Sequence, residues 1–265
     1  MRKLLTALSV STLALGLSFA PAWAADVNDI VAKANNAAYY KGEDGRARVK
    51  MEITDAQGRK RTRDFVILRK DIGSGDKEQK FYVYFNRPAD VNKTAFMVWK
   101  HVGADDDRWL YLPALDLVKR IAASDERTSF VGSHFFYEDV SGRNPDEDKH
   151  ELVETTDNYY VVKSVPKKPN LVEFSSYKSY IHKQSFIPVK IEFYDKNGTK
   201  YREATAEKVE TIQGYPTVTM GKMKDLRSGG ETVLTYSDVK YDVGLPEDIF
   251  TERYLRQPPN QYIKR

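Results

Sequence analysis

After an apolar leader, the pattern of apolar and polar residues first follows a helical repeat. Apolar side chains recur every three or four positions between Val27 and Ala38, and Asp26 stands directly before them. This spacing predicts an amphipathic helix over residues 26–40, capped by Asp26 and ending before Gly42.

From Val49 onwards the repeat changes to a period of two, which is typical of strands with one buried face. Val49, Met51 and Ile53 alternate with polar residues, a turn follows at residues 55–58, and Phe65 lies on the returning run. The sequence therefore predicts an antiparallel hairpin that places these apolar side chains on one face.

Further alternating runs continue along the chain, many of them separated by turns of Gly, Asn, Asp and Pro. A similar hairpin with the same Asp-x-x-Gly turn is expected from Val189. The similarity fits an internal repeat, but amphipathic hairpins also converge on such patterns. Count and spacing favour one antiparallel meander in a single domain, residues 25–265, and not alternating βαβ units. The additional strands are predicted at residues 80–88, 94–102, 107–113, 158–165, 173–182, 187–194, 199–212, 216–225 and 231–240.

Two stretches between these runs receive other assignments. Residues 113–122 are expected to contain a short helical piece. The acidic, proline-bearing run at 142–151 is expected to be a solvated connection and not a cation site.

The middle third of the chain is unusually rich in aromatic residues. An antiparallel sheet with a wide apolar face needs a cover, and the sequence offers few helices to provide it. A hydrophobic cavity under a thin helical lid and an ordinary filled core both fit this pattern. The aromatic positions are Phe81, Phe85, Phe96, Trp99, Trp109, Tyr111, Phe130, Phe135, Phe136 and Tyr137.

Composition and the first residues narrow the class of protein. Arg2 and Lys3 precede an apolar run that ends in Ala22-x-Ala24, which predicts a secretory signal peptide over residues 1–24. The formal net charge of +4 is spread along the chain and argues weakly against a nucleic-acid partner. The chain has no cysteine, so thiol and thiolate–metal chemistry are excluded.

Candidate chemistry centres on the stretch SFVGSHFFYEDVSG at residues 129–142, because the sequence has no nucleophile elbow, phosphate loop or dinucleotide motif. His134 and Glu138 could share a helix face, but one histidine and one carboxylate make at most half a metal site. The neighbouring side chains of Ser133 and His134 diverge and rarely act as a pair. The stretch therefore predicts a short helix whose aromatic residues pack and whose acids face water or cap backbone. No cofactor or metal is expected.

Four segments resemble the LolA-like family of outer-membrane lipoprotein-sorting proteins. They are a strand–Pro–loop–strand element at 84–99, a Trp-x-Tyr-x-Pro segment with a basic pair at 107–121, Gly-Ser-x-Phe-x-Tyr-x-Asp at 132–139, and a closing segment at 243–255. The resemblance implies a mainly β fold with a strongly curved antiparallel sheet. This sheet would form an incomplete or half β-barrel, as in LolA and LolB, with a few helices covering the concave side.

The same resemblance implies a periplasmic carrier without catalysis, which shelters acyl chains of a lipid or lipoprotein on the way to the outer membrane. Its expected partners are those acyl chains together with an inner-membrane exporter of the resistance-nodulation-division (RND) class or an outer-membrane acceptor. Two alternatives stay open. A lipid or lipoprotein sensor could regulate a membrane partner on the same fold, and a periplasmic hydrolase could use a site around His134.

On the carrier interpretation, the alternating apolar residues and the aromatic pair before Tyr137 form the cavity wall. Asp139 would cap a backbone end or pair with Lys119 or Arg120 and so latch the lid. The predicted wall residues are Val49, Met51, Ile53, Phe81, Val83, Phe85, Phe96, Val98, Trp109, Tyr111, Phe135 and Phe136.

Overall fold

The computed structural model describes residues 26–73 and 78–264, so the predicted signal peptide lies outside the described residues. Helix α1 spans Val27–Tyr39, and the Asp26 side chain accepts a hydrogen bond from the N–H of Asn28. The predicted helix and its cap are confirmed. No helix in this part of the chain is long and apolar enough to cross a bilayer.

Antiparallel strands dominate the rest of the described chain and form one sheet. They are β1 (Asp44–Thr54), β2 (Lys60–Ile72), β3 (Glu78–Arg87), β4 (Ala95–Lys100), β5 (Asp107–Leu112), β6 (Leu117–Ile121), β7 (Asp148–Thr155), β8 (Tyr159–Pro166), β9 (Phe174–His182), β10 (Pro188–Asp195), β11 (Lys200–Ile212), β12 (Tyr215–Asp225) and β13 (Gly230–Tyr241). The order in space is β6-β5-β4-β3-β2-β1-β13-β12-β11-β10-β9-β8-β7. Strands that follow one another in sequence are therefore neighbours, except that β1 pairs with β13 and that β6 and β7 lie at opposite edges.

The predicted first hairpin is present, with Val49 directly opposite Phe65. Its turn and the turn between β10 and β11 have the same geometry, because each begins with an aspartate whose carbonyl accepts from a glycine N–H three residues later. These distances are 2.9 Å for Gly58 to Asp55 and 3.0 Å for Gly198 to Asp195. The glycines are needed here, since both have a positive φ.

The chain between the two edge strands crosses the concave side of the sheet. Residues 122–147, called the covering segment below, contain α2 (Tyr137–Ser141) and the 3₁₀ turns Ala123–Asp125 and Pro145–Glu147. The sheet is strongly curved and does not close, so it forms an incomplete barrel with α1 and the covering segment on its concave side.

The end of the chain packs on the convex face of β2–β5. It contains the 3₁₀ turn Glu247–Phe250, α3 (Glu252–Arg256) and α4 (Asn260–Ile263). Phe250 is fully buried there, and its carbonyl accepts a hydrogen bond from the Trp99 indole at 2.8 Å. The sheet therefore has a hydrophobic cluster on each face.

Of the two stretches assigned between the strands, one is as expected and one is wrong. Residues 113–122 contain the expected short helical piece as the 3₁₀ turn Pro113–Leu115, and β6 follows it, paired with β5. The run at 142–151 is not a solvated connection. Its Asp148 is buried, forms an ion pair with Arg143 at 3.0 Å, and begins β7.

Candidate functional site: the concave cavity

The concave side of the sheet holds a mostly apolar cavity of about 410 Å³ beneath the covering segment. Its walls come from β1–β3, from β10–β13, from the end of α1, and from α2 with the residues before it. This volume is within the range of roughly 300–1,000 Å³ that is usual for small-molecule sites. The cavity is therefore the candidate functional site.

The predicted wall residues divide into two groups on this concave face. Met51, Phe81, Val83 and Phe135 line the cavity. Val49, Ile53, Phe85, Phe96 and Val98 instead pack tightly in the hydrophobic cluster of the same face. The concave face is thus part filled core and part cavity, which resolves the two alternatives that the aromatic pattern left open.

Trp109 and Tyr111 are wrongly placed by the sequence prediction, since both lie on the convex face. Strand β5 pairs with β4 so that Leu110 is opposite Phe96, and Leu110 therefore faces the concave side. Successive side chains of a strand point to opposite faces. A register error of one residue reversed the assignment of this strand.

Phe136 is also wrongly placed, because its ring packs against arginines and not in the cavity wall. The guanidinium carbon of Arg202 lies 3.9 Å from the ring centroid, and that of Arg127 lies 5.2 Å away. These are cation–π distances. Of the aromatic pair, only Phe135 therefore reaches the cavity.

Sequence reasoning missed the wall formed by β11 and β12, where the side chains are small. Across neighbouring strands, Ala206 lies opposite Gly221, and Gly221 lies opposite Leu234. Leu234 in turn lies opposite Met51, so all four residues share the concave face. Small residues at alternate positions of predicted strands are the signal that could have shown where space is left. Other lining residues not predicted are Ala37, Ala38, Phe65, Ile67, Phe130, Ile191, Ala204 and Tyr236.

The covering segment is held on the sheet first by an aromatic plug. A tight hairpin, in which the Phe130 N–H donates to the Phe135 carbonyl at 2.8 Å, directs Phe130 into the concave face. Its ring centroid lies 5.4 Å from that of Phe96 and 5.8 Å from that of Phe85. The stretch that suggested a catalytic site is therefore mainly an apolar clamp.

Ion pairs under the covering segment provide the second attachment. Asp139 accepts a hydrogen bond from the Phe136 N–H at 2.6 Å and forms an ion pair with Arg202 of β11. The Arg202 side chain is only 2% exposed and also donates to the His134 carbonyl at 3.1 Å. Asp139 thus caps the start of α2 and attaches it to the sheet.

Neither Lys119 nor Arg120 is the partner of Asp139, so that part of the predicted latch is wrong. Both lie on the edge strand β6 and are exposed, and Arg120 forms an ion pair with Asp107 of the neighbouring strand. The true partner, Arg202, was not recognisable because it lies far along the chain and meets Asp139 only when β11 joins the sheet.

Glu138 is buried and does not face water as predicted. Its carboxylate forms ion pairs with Arg127 and, at 3.1 Å, with Arg143. Arg127 in turn donates to both carboxylate oxygens of Glu173, from Nε at 2.7 Å and from Nη2 at 2.8 Å. Removing one member of such a buried set leaves the others without compensation, which makes the attachment cooperative.

The end of α1 is fixed beside the cavity by Arg69 of β2. Its guanidinium donates to the carbonyl of Tyr39 at 2.9 Å and to those of Lys41 and Gly42 at 2.5 and 2.9 Å. It also forms an ion pair with Asp71 at 2.7 Å. The bond to Tyr39 satisfies a carbonyl that the helix end leaves open, and the other two fix the chain that follows α1.

α1 and the covering segment meet at Gly142 and Lys100. A Cβ atom at Gly142 would overlap the Tyr39 ring, so only glycine permits this close approach. Lys100 is buried, donates to the Ser141 carbonyl at 2.7 Å and lies 5.2 Å from the centre of the Tyr39 ring. Burial lowers the pKa of Lys100 to about 8.

His134 is engaged in packing and hydrogen bonding. Its N–H and its ring Nδ1 contact the Thr232 hydroxyl at 3.0 and 2.8 Å, and its ring packs against Gly230. Burial lowers its pKa. Ser133 bonds within its own loop, to Phe135, so the two residues do not form a nucleophile–base pair.

Acidic clusters are also accounted for by ion pairs. Asp106 and Glu126 form ion pairs with the buried Arg108 at 2.8 and 2.7 Å. Burial raises the pKa of Glu126 to about 7, because its effect is larger than the lowering effect of the Arg108 charge. Within residues 26–73 and 78–264, no group of three His, Asp or Glu side chains could hold a metal ion. The third acid of this region, Asp107, contacts the His101 ring, with 3.2 Å between the carboxylate oxygen and Nε2.

Comparison with known proteins agrees with this architecture. A family model that describes its members only as uncharacterised proteins matches residues 77–257. The crystal structure of a DUF1329 family protein from Desulfovibrio piger superposes with a TM-score of 0.78 at 30% sequence identity, over 86% of this chain and 96% of that one. A comparison with functionally curated proteins finds no match.

Two further solved structures share the fold. A domain from Vibrio parahaemolyticus, assigned to the outer-membrane lipoprotein-sorting proteins, superposes with a TM-score of 0.77 at 28% identity, over 86% of this chain and 97% of that one. A LolA superfamily protein from Nitrosomonas europaea superposes with a TM-score of 0.66 at 23% identity, over 86% and 98%. The curved sheet with its concave cover is therefore a LolA-like fold.

Proposed function

Because the chain belongs to the DUF1329 family and has a LolA-like fold, we propose that it is a periplasmic carrier, without catalysis, that shelters an acyl chain in the concave cavity. The observation that carries this proposal is the apolar cavity itself, which lies between the central strands and the covering segment. The predicted signal peptide and the similarity to a domain assigned to lipoprotein sorting support the periplasmic location.

The cavity is about the right size for one chain. If a methylene takes about the volume of a water molecule, ~30 Å³, a 410 Å³ cavity holds ~14 such groups. Exposing each methylene to water costs about 0.8 kcal/mol, so complete burial of ~14 groups would stabilise the chain by ~11 kcal/mol relative to water, and this is the upper value for the cavity. Free transit of such a chain through an aqueous compartment is negligible, which is the physical need for a carrier.

Release requires the cover to open. The attachments of the covering segment are ion pairs, hydrogen bonds and one aromatic plug, and a membrane partner that competes for them would expose the cavity. An inner-membrane exporter of the RND class would load or receive the ligand on this proposal, and an outer-membrane acceptor would occupy the other end of the path. The proposed function involves no nucleic-acid partner.

The experiment is a binding titration with a fluorescent acyl probe, using variants that fill the cavity. Ala206→Phe places a ring in the wall formed by β11 and β12, and we expect probe affinity to fall at least tenfold. Val209→Phe is the matched control, because Val209 is exposed on the same strand, and it should bind like the parent. Equal probe binding by all three proteins would contradict the proposal.

A further inference from the structure

Of the charged side chains that line the cavity, Lys41 is the most buried, and it has no counter-ion in the described part of the chain. Lys41 follows α1, lines the cavity and is only 9% exposed. Its ammonium donates to the Pro216 carbonyl of β12. Among the residues that the structure describes, no carboxylate lies within 4.0 Å of it.

This arrangement differs from that of the other buried cations. Arg108, Arg127 and Arg202 each contact a carboxylate directly. The pKa of Lys100 is lowered by burial, but Asp106 and other acids oppose that effect. For Lys41, burial alone lowers the pKa to about 8. A buried charge without a partner is costly, and an ammonium has three donor hydrogens of which the protein uses one here.

The cavity end around Lys41 also differs from the rest of the wall. Thr217 and Tyr241 line this end, with their hydroxyl groups 2.8 Å apart. Arg69 donates to the Lys41 carbonyl at 2.5 Å and so fixes the backbone that carries the ammonium. The acid that lines the cavity, Asp139, belongs to α2 and is held by Arg202.

Most of the remaining wall is apolar, with Met51, Phe81 and Val83 on one side and Ala206 on the other. The other lining cations are less buried than Lys41, and they are Arg46, Arg69, Lys222 and Lys240. A ligand that matches both regions has a single apolar chain and an anionic head group. We propose that Lys41 binds the anionic head of an amphiphile, a carboxylate or a phosphate, whose chain lies in the cavity. This inference rests on the proposed carrier function and narrows its ligand class.

The test is a displacement titration of the full mature protein, after removal of bound lipid, with three probes of equal chain length. Hexadecanoate carries a carboxylate, hexadecyl phosphate carries a phosphate, and hexadecanol is neutral. We expect at least one of the two anions to bind about tenfold or more tightly than the alcohol, as a charge-assisted hydrogen bond would provide. Comparing the two anions identifies the head group.

Lys41→Met keeps the length of the side chain and removes its charge. It should abolish the preference for the anion while leaving hexadecanol binding unchanged or tighter, and its melting temperature reports that the fold is intact. Lys33→Met is the control, because Lys33 is an exposed lysine of α1 paired with Asp29, and it should keep the preference.

The outcomes separate the two proposals. If hexadecanol binds as tightly as both anions, or if Lys41→Met keeps the anion preference, the assignment of Lys41 is wrong while the carrier function stands. If none of the three probes binds, the carrier function itself is contradicted.

Discussion

Replacement of Asp139 by asparagine tests whether the ion pair with Arg202 holds the covering segment on the sheet. The Asp139 side chain is 19% exposed and that of Arg202 is 2% exposed, so the pair is largely removed from water. Two nitrogens of Arg202, Nε and Nη1, already lack hydrogen-bond partners within the described chain. The variant would therefore leave a buried guanidinium with little compensation.

The magnitude follows from this burial. Breaking a buried ion pair by removing one partner costs about 3–5 kcal/mol. Asparagine retains one oxygen that can accept from the Phe136 N–H, so we expect a smaller loss of about 2–3 kcal/mol. If this loss applies to local opening, amide exchange in the covering segment accelerates about 30- to 150-fold.

Hydrogen exchange measures this directly. The reporters are the amides of Phe130 and Glu138, which bond to the carbonyls of Phe135 and Glu126 within the covering segment. An amide in the middle of β1, such as Met51, should exchange as in the parent protein. A bound acyl probe should also dissociate faster from the variant.

Asp29→Asn is the matched control, since it breaks an exposed helix pair with Lys33 that contributes about 0.3–0.5 kcal/mol. It should leave exchange in the covering segment unchanged. If Asp139→Asn behaves like this control in both exchange and probe release, the ion pair does not hold the cover and the reasoning is refuted.

Three further predictions concern stability. Burial would raise the pKa of Glu173, but the hydrogen bonds from Arg127 and the Tyr201 hydroxyl outweigh burial and lower the pKa to about 2. The contribution of Glu173 to folding stability is therefore present above pH ~4.5 and is lost as the pH falls towards 2. Glu173→Gln should make the melting temperature fall less steeply with decreasing pH than it does in the parent protein. Phe250→Ala should cost about 3–5 kcal/mol in urea unfolding, because this fully buried ring anchors the chain end on the convex face; a loss under 1 kcal/mol would show that this segment is not part of the cooperative fold. Gly142→Ala should lower the melting temperature, since its Cβ would overlap Tyr39 at a positive φ, whereas Gly103→Ala, also at positive φ but with open space around it, should cost less.

The fold was largely predictable because its information is local. Alternation of apolar residues along β1 and β2 decides both the strands and their buried face, and Asp26 marks the start of α1. The exceptions depend on contacts distant in sequence. Residues 117–121 form a strand because they pair with β5. Asp148 can be buried because it forms an ion pair with Arg143.

The candidate site was less predictable for the same reason. Which side chains of β5 face the concave side depends on the strand register. A shift of one residue exchanges the two faces, and the sequence prediction therefore placed Trp109 and Tyr111 on the wrong face. Arg202 finds Asp139 only after the sheet has assembled. The wall at Ala206 and Gly221 leaves space because these residues have small side chains or none. Small residues in a strand are harder to recognise in a sequence as part of a cavity than a cluster of aromatic residues is.

The most direct test of the central claim is native mass spectrometry of the mature protein purified from the periplasm without detergent, followed by solvent extraction of what it carries. The account predicts one bound acyl-bearing molecule per chain, which is lost or reduced in Ala206→Phe and retained in Val209→Phe. A protein that is empty in all three preparations and refuses fluorescent acyl probes would contradict it.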